Sequence, residues 1–171
     1  VTVSRGLGDV YKRQISPDFS FSAKIGSDEI FVIEADEYDS AFFDKRSKFI
    51  HYSPNILLIN NIEFDHADIF NDLDAIKKQF HHLLKIMPSS GKIIFFNHDK
   101  NALDVINKGC WSNSIEINGN SSIASYDFSS ATIAFDGKSS CMNDLPFYGS
   151  HNNLNAVGAI ISTSLCGINL N

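Results

Sequence analysis

The stretch Asn55–Asn97, NILLINNIEFDHADIFNDLDAIKKQFHHLLKIMPSSGKIIFFN, reads as strand, loop, helix and strand in that order. NILLIN (55–60) and KIIFFN (92–97) are short, nearly continuous apolar runs bounded by polar turns, the pattern of strands buried on both faces. Between them Leu73, Ile76, Phe80, Leu83, Leu84 and Met87 recur at three- and four-residue intervals, with Asn71 or Asp72 as cap and Pro88 past the end. That spacing predicts a helix of about four turns. Working outward, a third apolar run stands at IFVIEA (30–35), and helices are predicted over Asp99–Lys108 and Asn152–Cys166, ended by Gly109 and Gly167. Alternating strand and helix predicts an α/β fold with a mostly parallel sheet and flanking helices.

Residues 112–148 break the alternation. Ser/Asn/Gly-rich turns surround SIEI, IASYDF and ATIAFDGK, and Asp136-Gly137 is a hairpin signal, so a small antiparallel excursion is expected there. The first fourteen residues, VTVSRGLGDVYKRQ, lack the apolar core of a signal peptide and do not share the later patterning. They read as a non-native leader of the kind left by sequencing adapters, with a genuine polar leader as the alternative, and 15–171 reads as one domain. No Pro- or Gly-rich linker divides the rest.

Bulk composition narrows the function classes. At 171 residues and 43% apolar content the chain can bury one sizeable core, and no stretch approaches the roughly 20 apolar residues of a membrane span. A net charge of −6, with Lys and Arg densest only at Asp44–Lys48, argues against a partner held through nucleic-acid phosphates. Three widely separated cysteines, Cys110, Cys141 and Cys166, fit reduced thiols of a cytoplasmic protein better than a disulfide framework or a zinc site.

In parallel α/β sheets ligands gather past the carboxyl ends of the strands. Two runs end alike there. IFVIEA delivers Glu34, Asp36, Glu37 and Asp39, and with Asp44 these make five acids in eleven residues, a repulsion that calls for a positive partner. NILLIN delivers Asn60, Asn61, Glu63, Asp65 and His66. If the two strands are neighbours, Glu34 and His66 can converge on one hard cation, and oxygen-rich ligands with one imidazole suit Mg2+ or Mn2+ better than zinc. The plainer alternative is a solvated acidic loop with a hydrogen-bonded Asp-His turn. His51, His81, His82 and His98 read as surface or helix-border residues.

A third cluster, GSHNNLNAVGAI from Gly149, sets His151, Asn152 and Asn155 at the opening of a helix. Asn152 and Asn155, three apart, share a helical face from which amides could read a purine edge; ordinary capping by Asn152 or Asn153 is the alternative. A phosphate loop of the type G-x-x-x-x-G-K-[ST] is absent from the sequence. Ser90-Gly91-Lys92 leads straight into a strand and reads as a simple turn. No nucleophile elbow is found either.

Taken together, EADEYD, NNIEFDHADIF and GSHNNLNA resemble, in order, motifs of the central domain of the ATP-dependent Mur ligases. FFDKRSKFIHY, EFDHADIF, KQFHHLLKI and GCWS are similar to the murein peptide ligase branch of that family. The resemblance implies that ATP phosphorylates the lactyl carboxylate of UDP-N-acetylmuramate and that the amine of L-alanyl-γ-D-glutamyl-meso-diaminopimelate attacks the acyl phosphate. It further implies that Glu34 and His66 hold magnesium and that Asn152 and Asn155 contact the adenine, with His151 near the nucleotide. Some members carry a carbamylated lysine after the Asp-His motif; here Lys77 borders the apolar stripe and Lys78 points outward, within reach of Asp74, and a solvated helical face is the alternative for both. The family's glycine-rich loop would precede residue 15, so 15–171 reads as a partial central domain, inactive alone. The alternatives are a UDP-N-acetylmuramate–L-alanine ligase, a metal-dependent phosphohydrolase, and a non-catalytic metal- or nucleotide-binding remnant.

Overall fold

The computed structural model describes the backbone of residues 2–3 and the whole of residues 29–35, 37–65, 67–120, 123–142 and 149–168. Its frame is a parallel sheet of β1 (Thr2–Val3), β2 (Ile33–Glu34), β5 (Ile56–Ile59), β6 (Lys92–Phe96) and β7 (Asn113–Ile117), in the spatial order β2-β1-β5-β6-β7. The apolar runs of β5 and β6 lack alternation because both sides are covered. Leu57, Ile59, Ile93 and Phe95 face α1 (Leu73–Ile86) and α2 (Lys100–Asn107). Leu58, Ile94 and Phe96 face α3 (Ser150–Leu165) and a second, antiparallel sheet. Successive strand residues point to opposite faces, so each strand serves both core clusters.

The helices follow their local signals. Asp72 caps α1 by accepting from the Ala75 N–H at 2.8 Å, and the helix stops at Met87 ahead of Pro88. Ile76, Phe80, Leu83 and Leu84 are its buried stripe. The following turn is closed by the Gly91 N–H donating to the Pro88 carbonyl at 2.8 Å, as expected of a helix-to-strand connection. Asp99 caps α2, and Gly109 (φ +143°) and Gly167 (φ +83°) follow α2 and α3 in conformations that favour glycine.

The antiparallel excursion is a three-stranded sheet, β8 (Ala124–Asp127), β9 (Thr132–Phe135) and β10 (Lys138–Cys141), in the order β10-β9-β8. Asp136 (φ +50°) and Gly137 (φ +75°) make its two-residue turn, the type I′ geometry the Asp-Gly pair predicts. Two expectations need correction. SIEI, read as part of the excursion, is instead β7, parallel to β6 with Ile94 opposite Ile115 and Phe96 opposite Ile117. Its alternation arises because it is an edge strand: Ile115 and Ile117 are buried while Ser114 is exposed. The run IFVIEA contributes only Ile33 and Glu34 to the sheet, and Ile30, Phe31 and Val32 are exposed. Its neighbour β1 offers just two residues to pair with. That neighbour lies inside the stretch set aside as a leader: Thr2 pairs with Ile33 and Leu57, Val3 with Glu34 and Leu58.

Between β2 and β5 the chain makes a hairpin, β3 (Asp39–Ala41) and β4 (Asp44–Ser47), then a single 3-10 turn, Lys48–His51. The turn buries Phe49 against Phe80 of α1, ring centroids 5.1 Å apart, and so ties the hairpin to the core.

Candidate nucleotide and metal site

Parallel pairing puts the carboxyl ends of β2 and β5 on the same edge. Glu34 and Leu58 both align with Val3, so their backbones stand level and two strand spacings, about 10 Å, apart. Beyond Leu58 the chain delivers Asn60 and Asn61. Glu34, at the end of β2, is exposed. His66 and Asp36 lie outside the described residues.

The carboxylates after β2 find more of their positive charge within the hairpin than the sequence reading allowed. Lys45 Nζ is 2.7 Å from Asp39 Oδ2. Arg46 grips Asp44 with two guanidinium hydrogen bonds of 2.9 and 2.8 Å and donates its backbone N–H at 3.1 Å. These bonds hold the Asp44 carboxyl well below the usual aspartate range, and His51 approaches the same carboxylate at 3.1 Å. Asp39 and Asp44 therefore need no external cation. Of the carboxylates named above, Glu34 stands at the strand end itself, level with the loop after β5.

That loop is held from both sides. The Ile62 N–H donates to Asp99 Oδ2 at 2.7 Å, and Asn101 Nδ2 donates to the Ile62 carbonyl at 2.7 Å. Asp99 Oδ1 meanwhile accepts from the Asn101 and Ala102 N–H groups, so one carboxylate both caps α2 and anchors the loop. Asn61 Nδ2 reaches Glu63 at 2.5 Å, while the buried Asn61 Oδ1 finds no hydrogen-bond donor among the described residues. A carboxylate on the same sheet edge and an unsatisfied amide oxygen in the loop are hard-oxygen donors, which fit a divalent cation such as Mg2+. Among the described residues no three His, Cys, Asp or Glu side chains form a metal cluster.

Helix α3 arrives at this edge by a close approach. Gly158 packs on β5 so tightly that a Cβ there would lie 2.7 Å from Leu58 Cδ2. Asn155, three residues earlier, shares the helix face of Gly158, and Asn60 shares the strand face of Leu58. The two amides meet: Asn60 Nδ2 donates to Asn155 Oδ1. The capping alternative for the asparagines does not hold, since the helix begins at Ser150 with Gly149 (φ +101°) as its cap. Asn152 and Asn153 lie in the first turn and donate their N–H groups to the Gly149 carbonyl at 3.1 and 3.2 Å. His151 is exposed, and its ring lies against Gly149, where a Cβ would come within 3.0 Å of it.

Sequence reasoning named Glu34, Asn60, Asn152 and Asn155 but gave Asn60 no role, and it missed Asp99 and Asn101 as anchors. The capping signal of Asp99 was readable; the use of its second oxygen, 37 residues away, was not. Lys77, at the border of the apolar stripe, is buried with its Nζ 2.8 Å from Asp104 Oδ2, because α2 packs alongside α1 there. Lys78 is exposed. The side histidines have local settings, with His81 near Trp111 and His98 near Phe96 at ring separations of 6.0 and 5.5 Å.

In a parallel α/β sheet ligands gather at the carboxyl ends of the strands, and here that edge carries Glu34 and the Asn60–Asn155 contact. The chain belongs to the Mur ligase family: the Mur ligase middle domain matches residues 14–163. It is 60% identical over 95 residues to the UDP-N-acetylmuramate–L-alanyl-gamma-D-glutamyl-meso-2,6-diaminoheptandioate ligase of Escherichia coli K12, covering 56% of this chain and 21% of that protein. Identity to the UDP-N-acetylmuramate–L-alanine ligase of Caldanaerobacter subterraneus subsp. tengcongensis is 30% over 156 residues, covering 86% of this chain and 32% of that protein. The fold matches a murein peptide ligase from Psychrobacter arcticus with a TM-score of 0.70 and 39% identity, over 88% of this chain and 34% of that one. The chain thus spans about a fifth of the Escherichia coli relative. No helix among the described residues is long and apolar enough to cross a membrane.

Proposed function

We propose that this chain is the partial central domain of a cytoplasmic, ATP-dependent ligase that joins UDP-N-acetylmuramate to L-alanyl-γ-D-glutamyl-meso-diaminopimelate. The observations that support the reading are the placing of Glu34 and the anchored Asn60–Ile62 loop at the carboxyl ends of parallel strands, and the hydrogen bond between Asn60 and Asn155 of α3. A carboxylate resists attack by an amine until one oxygen becomes a phosphate leaving group. In the proposed reaction the lactyl carboxylate oxygen therefore takes the γ-phosphoryl of ATP as ADP leaves, the peptide amine attacks the carbonyl carbon and gives up a proton, and phosphate departs as the amide forms. Bound Mg2+ supplies charge neutralisation on the transferring phosphoryl.

The chain's own groups have separate tasks in this scheme. Glu34 and His66 hold the cation, Asn152 and Asn155 face the adenine, and His151 flanks the nucleotide. The anchors at Ile62 keep the loop from drifting as charge moves. Alone, the 171-residue chain is expected to form no amide bond.

The test is turnover of UDP-N-acetylmuramate by the full-length ligase carrying this domain, with ATP and either the tripeptide or L-alanine as amine. Tripeptide-dependent release of ADP supports the proposal; activity with L-alanine alone would move it to the alanine-adding branch, which the 30% identity keeps in view. Phosphate release without any amine would favour a phosphohydrolase. Glu34→Gln is expected to lower kcat by roughly 100-fold or more, the effect of losing a few kcal/mol of metal-borne charge stabilisation.

A further inference from the structure

We propose that Asn60 is a positioning residue for nucleobase recognition, acting through Asn155; the inference rests on the nucleotide reading above. Asn60 is a buried polar residue at the end of β5, in a place where most side chains are apolar. A buried amide is retained where it has a partner, and this one has Asn155, 95 residues away. Two residues on, Ile62 has both its N–H and its carbonyl tied to the start of α2, at 2.7 Å each. The donor that meets Asn155 is therefore mounted on a strand end and an anchored loop. Gly158 supplies the other half of the alignment by letting α3 seat directly on Leu58.

The bond orients the amide that Asn155 offers a ligand. An amide has two N–H donors and one acceptor oxygen with two lone pairs. With one lone pair of Oδ1 engaged by Asn60, the amide plane of Asn155 is held while its N–H donors and the second lone pair remain for a purine's ring nitrogen and exocyclic amine. Asn60 thereby sets the orientation in which Asn155 meets the base.

The experiment uses steady-state kinetics of the full-length ligase with Asn60→Ala, Asn60→Asp, Asn155→Ala and the Asn60→Ala/Asn155→Ala pair, with thermal denaturation of each. Asn60→Ala is expected to raise the KM for ATP about tenfold, the effect of one polar contact, with kcat and the KM for UDP-N-acetylmuramate within about twofold. In the Asn155→Ala background the same change adds no further rise. Asn60→Asp keeps the size but turns the donor into an acceptor, so it raises the ATP KM as well and carries the test if Asn60→Ala does not fold. An unchanged ATP KM in the Asn60 variants, additive rises in the double variant, or a fall in kcat at constant ATP KM would overturn the inference. If Asn155→Ala leaves the ATP KM unchanged, the nucleotide assignment of Asn155 fails, and the inference with it.

Discussion

Asp104 and Lys77 show how a single pair converts geometry into pH dependence. Lys77 Nζ sits 2.8 Å from Asp104, and this hydrogen bond, with the lysine's charge, lowers the Asp104 pKa below its ordinary 3.8. A carboxylate with a depressed folded-state pKa contributes stability that is present above the unfolded value and lost as pH falls through the folded one. Asp104→Asn should therefore melt at a lower temperature than the parent at pH 7, and the two curves should converge below about pH 4 as the parent's own carboxyl protonates. A constant gap down to pH 2 would show that the charge of Asp104 is irrelevant. Asp99 follows a different logic, because both its oxygens are committed to backbone N–H groups. Asp99→Ala should cost about 1–2 kcal/mol from the lost cap, plus the penalty of the orphaned Ile62 N–H, measured by urea unfolding.

The contact of α3 with β5 is set by the absence of a side chain. At Gly158 a Cβ would meet Leu58 Cδ2 at 2.7 Å and Cδ1 at 2.9 Å, and Leu58 is fully buried, so it has little room to turn away. Overpacking costs about 1–3 kcal/mol, and the better helix propensity of alanine returns up to about 1 kcal/mol. Gly158→Ala should then be destabilising by about 1 kcal/mol net, and adding Leu58→Val should recover part of that loss in a double-mutant cycle. Strictly additive losses would mean that the two residues do not clash. The hairpin β3–β4 is an element of another kind, whose ion pairs are exposed and whose tip carries Phe42 and Phe43 at 93% and 91% exposure. Surface pairs of this sort add little to stability, so its geometry is carried by Phe49 packing on Phe80.

At the scale of the whole chain, the two core clusters share strands. Leu57 and Ile59 belong to one cluster and Leu58 to the other, and Ile93, Phe95, Ile94 and Phe96 divide in the same way. Neither cluster can melt without stripping one face from β5 and β6. Unfolding should be a single transition, with Trp111 fluorescence and far-ultraviolet circular dichroism giving the same midpoint. Two separated midpoints would show that α3 and the antiparallel sheet come away first. Exposed Phe31, Val32, Phe42 and Phe43 should also make the chain self-associate as concentration rises, and Phe42→Ser/Phe43→Ser should weaken that association in sedimentation. A parent chain that stays monomeric would contradict this.

Where a feature depended on neighbours in sequence, the amino-acid string was enough. The strands β5 and β6, the helices α1 and α2, and the Asp136-Gly137 turn arise from periodicity, capping and backbone preference, all local forces, although which of Asn71 and Asp72 caps α1, and that Asp99 caps α2, came from the structure. The order of the three motifs likewise carried the family. Tertiary structure decided the rest, because parallel pairing joins residues far apart in the chain. It placed SIEI on the edge of the main sheet, reduced IFVIEA to two paired residues, and buried Lys77 against α2. It also brought Asn60 to Asn155, and no local preference of either asparagine encodes that meeting.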